Sequence, residues 1–194
     1  MIANVVRKVV YTAMGVFLLT GSLLALPPAN PPDKVVVNGI AWSFPKEASD
    51  LLREVQVLSG RLRMDADRLE SFTRSNLSWQ SHGGQLTLVK EHINQMGGHL
   101  ERLQEIRHVT SPWQQQAIDR IIPVAVEVAS RTQAAIEHLN ENQSYLFAPT
   151  YTDHLSTIAE QAGTLNDSAN SFAEYGKAQE NLDQLRDKLE IRAS

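Results

Sequence analysis

Residues 111–139, SPWQQQAIDRIIPVAVEVASRTQAAIEHL, are the stretch that decides the fold. Ser111 at the N-cap, Pro112 at the first helical position and Gln114 at the third make a capping box, which fixes where a helix begins. From Ile118 onward, small or apolar residues recur at Ile121, Ala125, Val128, Thr132, Ala135 and Leu139. These steps of three and four describe one face of an α-helix. Pro123, inside the pattern, predicts a kink. A helix of this length with a single apolar stripe has to bury that stripe against other helices.

The flanking segments repeat the pattern. Between Lys46 and Ser111 there is no proline. A first helix is predicted from about Phe44 to Arg74, striped by Leu51, Val55, Leu58, Leu62, Leu69 and Phe72, with Asp65 the one acid on that seam. A second follows Ser78, with Trp79, His82, Leu86, Val89, Ile93, Met96, Leu100 and Leu103. A fourth follows Pro149, capped by Thr150 or Thr152, with Leu155, Ile158, Ala162, Leu165, Ala169 and Phe172. Its phase then slips by one residue and runs on through Tyr175, Ala178, Leu182, Leu185 and Leu189. No segment shows the strict alternation of a strand.

The links Ser75 to Ser78, His108 to Thr110 and Gln143 to Pro149 are short, and short links make antiparallel neighbours. The first contains neither Gly nor Pro, so the first two helices are read either as separate or as one continuous rod. The expected fold is all-α: an antiparallel up-down four-helix bundle over residues 44–194, with an N-terminal apolar segment and an extended C-terminal helix. That extension is expected to pair with another subunit, to lie against the preceding tether or to fray.

The N-terminus carries an address. Arg7 and Lys8 precede the uncharged run from Val9 to Leu26, and PPANPP follows from Pro27. Residues 1–29 therefore read either as a cleaved secretory signal or as a retained anchor in which residues 9–26 cross the membrane. Both send the rest of the chain to the periplasm or beyond. Residues 30–43 read as a Pro-rich tether containing the short apolar run Val35 to Val37, with Trp42 and Phe44 folding back as a plug over the first helix end.

Composition removes whole classes of function. The chain has no Cys, which excludes thiolate nucleophiles, thiolate-held clusters and disulfides. Without residues 1–29 it has 16 basic and 22 acidic residues, a balance that argues against nucleic acid as a partner. Glycine pairs at Gly83-Gly84 and Gly97-Gly98 fall within a helix with no preceding strand, so they are not a phosphate loop. Glu105 and His108 match one Glu-x-x-His pair of the di-iron bundles, but that chemistry needs two pairs and two further carboxylates. Asp65 on the first seam reads as a register-fixing polar group. His92 and His99, seven residues apart, are roughly 10 Å apart along one helix, too far to share an ion.

The sharper candidate is a histidine cluster. His82 stands on the seam of the second helix, where a hydrophobe is expected. His82 and His138 each lie 28 residues from Thr110, and His138 and His154 each lie 8 residues from Leu146. Antiparallel folding about those turns collects all three at one end, with Trp79, Tyr145, Phe147 and Tyr151 nearby. Three imidazoles at one level suit Zn, Cu or haem between helices; the alternative is a set of hydrogen-bonded interface histidines. No catalytic constellation is present, and no cofactor is expected under the leading reading.

The segments LSWQSHGGQLTLVKEHINQMGGHL (77–100) and SPWQQQAIDRIIPVA (111–125) resemble uncharacterised exported helical-bundle proteins of soil bacteria, a likeness spanning about residues 45–190. It implies no activity. The expected role is a binding or structural interaction module of the cell envelope, not an enzyme. Its partner is expected to be an envelope protein or a second copy joined through the C-terminal helix.

Overall fold

The computed structural model describes residues 35–37, 40–42 and 44–193, with side chains over 44–189. Helix α1 spans Phe44–Ser71, α2 Trp79–Ile106, α3 Pro112–Glu141 and α4 Pro149–Ala193. Short 3-10 turns, Phe72–Arg74 and Arg107–Val109, close α1 and α2. The first two helices are separate, because Ser75 turns to an extended conformation and breaks the helical run. The expected export segment, residues 1–29, lies outside the described residues, as does the tether up to residue 34. Among the described residues no helix is long and apolar enough to cross a membrane.

One part of the tether differs from expectation. Val35–Val37 (β1) and Ile40–Trp42 (β2) pair as an antiparallel hairpin, with Val35 opposite Trp42, Val36 opposite Ala41 and Val37 opposite Ile40. Asn38-Gly39 is the sequence between them, the strongest two-residue hairpin signal there is. Strands of three residues are too short to show a period, which is why alternation did not reveal them.

Helix α1 packs against α2 and α4, and α3 packs against α4 and, over fewer residues, α2. Inter-helix pairs place the elements along one another. Arg102 of α2 holds Glu47 of α1 at 2.7 and 3.2 Å, while Gln85 and His92 reach Asp65. Gln56 donates to Asn170 at 3.0 Å and the Ser59 hydroxyl to Asn166 at 3.4 Å between α1 and α4. Near the α2–α3 turn, Arg107 donates to Asp119 at 2.6 Å.

The core is the seams read from sequence, with local shifts. Every stripe residue of α3 is buried, and α3 continues through Pro123. In α1 the first turns bury Ala48 and Leu52 rather than Leu51, and Ala66 takes the seam position beside a half-buried Asp65. In α2, Trp79, the first residue of the helix, stays 39% exposed. Phe44 is the first residue of α1 and packs on the core; the side chain of Trp42, the other half of the expected plug, lies outside the described residues.

The capping box forms at α3, with Gln114 Oε1 accepting from the Ser111 N–H at 3.0 Å. The buried Gln114 amide also donates to the Pro45 carbonyl at 2.7 Å and the Ser49 hydroxyl at 3.0 Å, tying the start of α3 to the start of α1. Helix α4 begins at least two residues earlier than a cap at Thr150 or Thr152 would place it. The Tyr151 and Thr152 N–H groups donate to the Ala148 carbonyl, so Ala148 is the cap and Pro149 takes the first helical position. Thr152 instead turns its hydroxyl back to the Pro149 carbonyl.

Candidate functional site

A buried polar centre forms where the first turns of α2 and α4 meet the last turn of α3 and the turn after α1. Tyr151, two residues into α4, is fully buried among the aliphatic seams. A buried phenol needs a partner for its hydroxyl, and His82 of α2 provides it, with Nδ1 3.0 Å from the Tyr151 oxygen. His82 is itself only 1% exposed. Phe72, from the turn after α1, meets the His82 ring edge-on with centroids 5.4 Å apart. His138, near the end of α3, stacks on the Tyr151 ring at 5.3 Å and 18°. His154 follows Tyr151 by one turn of α4.

Burial sets the charge state of this centre. It pushes the His82 imidazole below the ordinary histidine value and the Tyr151 phenol above its own. His154 is lowered too, by burial first and then by the Arg131 and His138 charges, with Asp153 opposing. Nδ1 and the phenol oxygen share one hydrogen bond, whose direction follows the His82 tautomer. His82 and Tyr151 therefore meet as neutral partners at pH 7.

Sequence spacing thus brings together His82 and His138 around one tyrosine, with His154 beside them on α4. Among the described residues, no group of three or more His, Asp or Glu is placed to hold a metal ion. The shared neighbour of the histidines is an aromatic ring rather than a common vacant point. Two nitrogens, His138 Nε2 and His154 Nδ1, are nevertheless buried without a hydrogen-bond partner.

The other candidates separate from this centre. His92 Nε2 meets Asp65 Oδ2 at 2.8 Å, and Gln85 donates to the Asp65 carboxylate at 2.9 Å and to its carbonyl at 3.0 Å. This is a polar clasp between α1 and α2. Glu105 and His108 do not face the core: Glu105 accepts from Arg102 at 3.0 Å, and exposed His108 bonds the Glu105 backbone carbonyl. Their outward position at the helix end agrees with a solvated pair.

The sequence placed Trp79, Tyr145, Phe147 and Tyr151 at this end, but two of their roles went unread. One is Tyr151 as the hub, since an aromatic in the first turn after a loop gives no periodic signal. The other is the aromatic surface around it. Tyr145 is 70% and Phe147 58% exposed, both in the α3–α4 link, and Leu77 and Trp79 are exposed at the α1–α2 link of the same end. No protein-family model, curated protein or solved structure matches the chain.

Proposed function

We propose that this chain is an exported or membrane-tethered four-helix bundle, antiparallel and up-down in topology, that works as a binding or structural interaction module in the cell envelope and not as an enzyme. The topology reading is supported by Glu47–Arg102 with Asp65–Gln85, Gln56–Asn170 with Arg63–Asp167, and Trp113–Tyr175 with His138–Tyr151, since within each helix pair numbers rise along one helix as they fall along its neighbour. The export reading rests on Arg7, Lys8 and the uncharged run from Val9 to Leu26. The observation that carries the interaction reading is the exposure of Tyr145 and Phe147 in the α3–α4 link, at 70% and 58%, with Leu77 and Trp79 partly exposed at the α1–α2 link. Large apolar side chains exposed to water are candidates for contact with another molecule. The proposed partner is an envelope protein; self-association through the exposed leucines of α4 is the other contact surface. The proposed kinship is with exported helical-bundle proteins of unassigned activity.

The test is a pull-down from native envelopes with the full chain beside the Tyr145→Ser/Phe147→Ser variant. The reading expects specific partners that the variant loses while its unfolding temperature is unchanged. An identical set of captured proteins for both would contradict it. Fractionation tests the address: a chain beginning at Met1 in membranes supports the anchor, one beginning within residues 23–33 supports the cleaved signal, and a cytoplasmic chain overturns both.

A second reading is favoured by the unpartnered His138 Nε2 and His154 Nδ1. It is a metal ion or haem held at the His82, His138 and His154 end. Absorbance and metal content of the purified chain, alone and with added haem, Zn or Cu, decide it. Binding that is lost in His138→Ala and His154→Ala supports this reading. A colourless, metal-free protein that ignores all three sinks it.

A further inference from the structure

A groove of about 600 Å³ runs between α3 and α4, a volume ordinary for a small-molecule site. One end of it is aromatic. Trp113 of α3 and Tyr175 of α4 meet there at 5.6 Å and 59°, with the half-buried Phe172 one turn back along α4. Gly176 fixes the indole: a Cβ at that position would come within 2.7 Å of it, so a residue without a side chain is what lets the ring lie on α4. The rest of the wall is polar. Gln116 and Arg120 follow Trp113 at steps of three and four on one face of α3, and Ser168 lines the groove from α4.

Among the described residues, the Gln116 amide, the Ser168 hydroxyl and the Arg120 guanidinium make no side-chain hydrogen bond or ion pair. Asp167 in the same groove is already held by Arg63 of α1 at 2.8 Å, and Thr164 and Ser171 turn their hydroxyls back to carbonyls of their own helix. The groove therefore offers a ring-stacking face and, about 10 Å farther along α3, an open guanidinium fork for an anion, with an amide between the two. We propose that it binds a short acidic oligosaccharide: one sugar ring on Trp113, ring hydroxyls on Gln116 and Ser168, and a uronate carboxylate on Arg120. Size and chemistry agree. From Thr164 to Tyr175 the groove follows about 16 Å of α4, the length of a short run of sugar rings. A sugar ring has a C–H face that packs on an indole and a rim of hydroxyls that exchange hydrogen bonds with amide, hydroxyl and guanidinium groups. A peptide is the poorer occupant, because a docking strand needs an open sheet edge and a docking helix a mainly apolar groove; the walls here are helices, and three of their polar side chains are free for the ligand. The site is separate from the Tyr145 and Phe147 surface and does not depend on it.

The full chain in mild detergent, carrying Trp42→Phe and Trp79→Phe, keeps Trp113 as its one tryptophan. Its emission is titrated with trigalacturonate, with maltotriose as the uncharged counterpart, and with triglutamate. The expected result is a saturable change with trigalacturonate, binding of maltotriose and of triglutamate weaker by about tenfold or more, and a similar loss for trigalacturonate in Arg120→Gln. Arg120 is exposed, so the unfolding temperature of Arg120→Gln should equal the parent's, and Arg61→Gln, at an exposed arginine of α1, should bind as the parent does. No saturable change with trigalacturonate, or one that Arg120→Gln leaves intact, would overturn the proposal. Maltotriose bound as tightly would contradict the acidic class, and triglutamate bound as tightly would assign the groove to a peptide instead.

Discussion

The Tyr151 hydroxyl and His82 Nδ1 satisfy one another in a place closed to water. Tyr151→Phe removes the hydroxyl and leaves the imidazole nitrogen buried without a partner, which should cost about 1–3 kcal/mol. Urea unfolding of the two proteins measures it, and a loss below a few tenths would show the bond to be dispensable. The same burial makes the fold sensitive to acid. Because the His82 and His154 values are lowered in the folded chain, the unfolded chain binds more protons as pH falls below the ordinary value near 6.5. Stability should therefore be level above that pH and decline beneath it. Melting temperature compared at pH 7.5 and 5.5 should drop in the parent protein and drop less in His82→Gln; equal drops would remove His82 from the account. At this scale the sequence was partly readable. His82 was visible as a polar residue on an apolar seam, but Gln85 and Gln114 were not, because a buried amide reads like a solvated one until its partners across the bundle are known.

Among the elements, the glycines of the helices divide by what surrounds them. A Cβ at Gly84 or Gly98 would meet nothing within 4 Å, so both are pure losses of helix propensity. Gly84→Ala and Gly98→Ala should each raise stability by up to about 1 kcal/mol. At Gly176 of α4 a Cβ would come within 2.7 Å of the Trp113 indole, which itself packs on Tyr175 at 5.6 Å. Gly176→Ala should gain nothing in stability and should shift tryptophan emission as the ring is displaced. A gain equal to that at Gly84 with unchanged emission would contradict the crowding. The elements themselves were the most readable level. The α3 stripe from Ile118 to Leu139 is buried at every position because one face of that helix meets neighbours along its whole length. Readability failed at ends, where periodicity has no room: Trp79 stays exposed, α4 starts at Pro149, and the three-residue strands give no pattern.

For the whole molecule, the two ends differ in kind. One holds the Tyr151–His82 centre, with Tyr145, Phe147, Trp79 and Leu77 exposed at the adjoining links; the other runs on into the leucine-bearing end of α4. The sequence placed the histidines and aromatics at a common end through the symmetry of their distances from Thr110 and Leu146. It could not say which aromatics face inward, because Tyr145, Phe147 and Tyr151 lie within seven residues of a turn and only tertiary packing sorts them. The central claim is that the outward aromatics touch another molecule. Site-specific photo-crosslinking in living cells tests it most directly, with benzoylphenylalanine placed at Tyr145, at Phe147 and, as a control, at exposed Met64. The account predicts a discrete adduct of one envelope partner from positions 145 and 147 and none from 64; chains that remain uncrosslinked at both aromatic positions would contradict it.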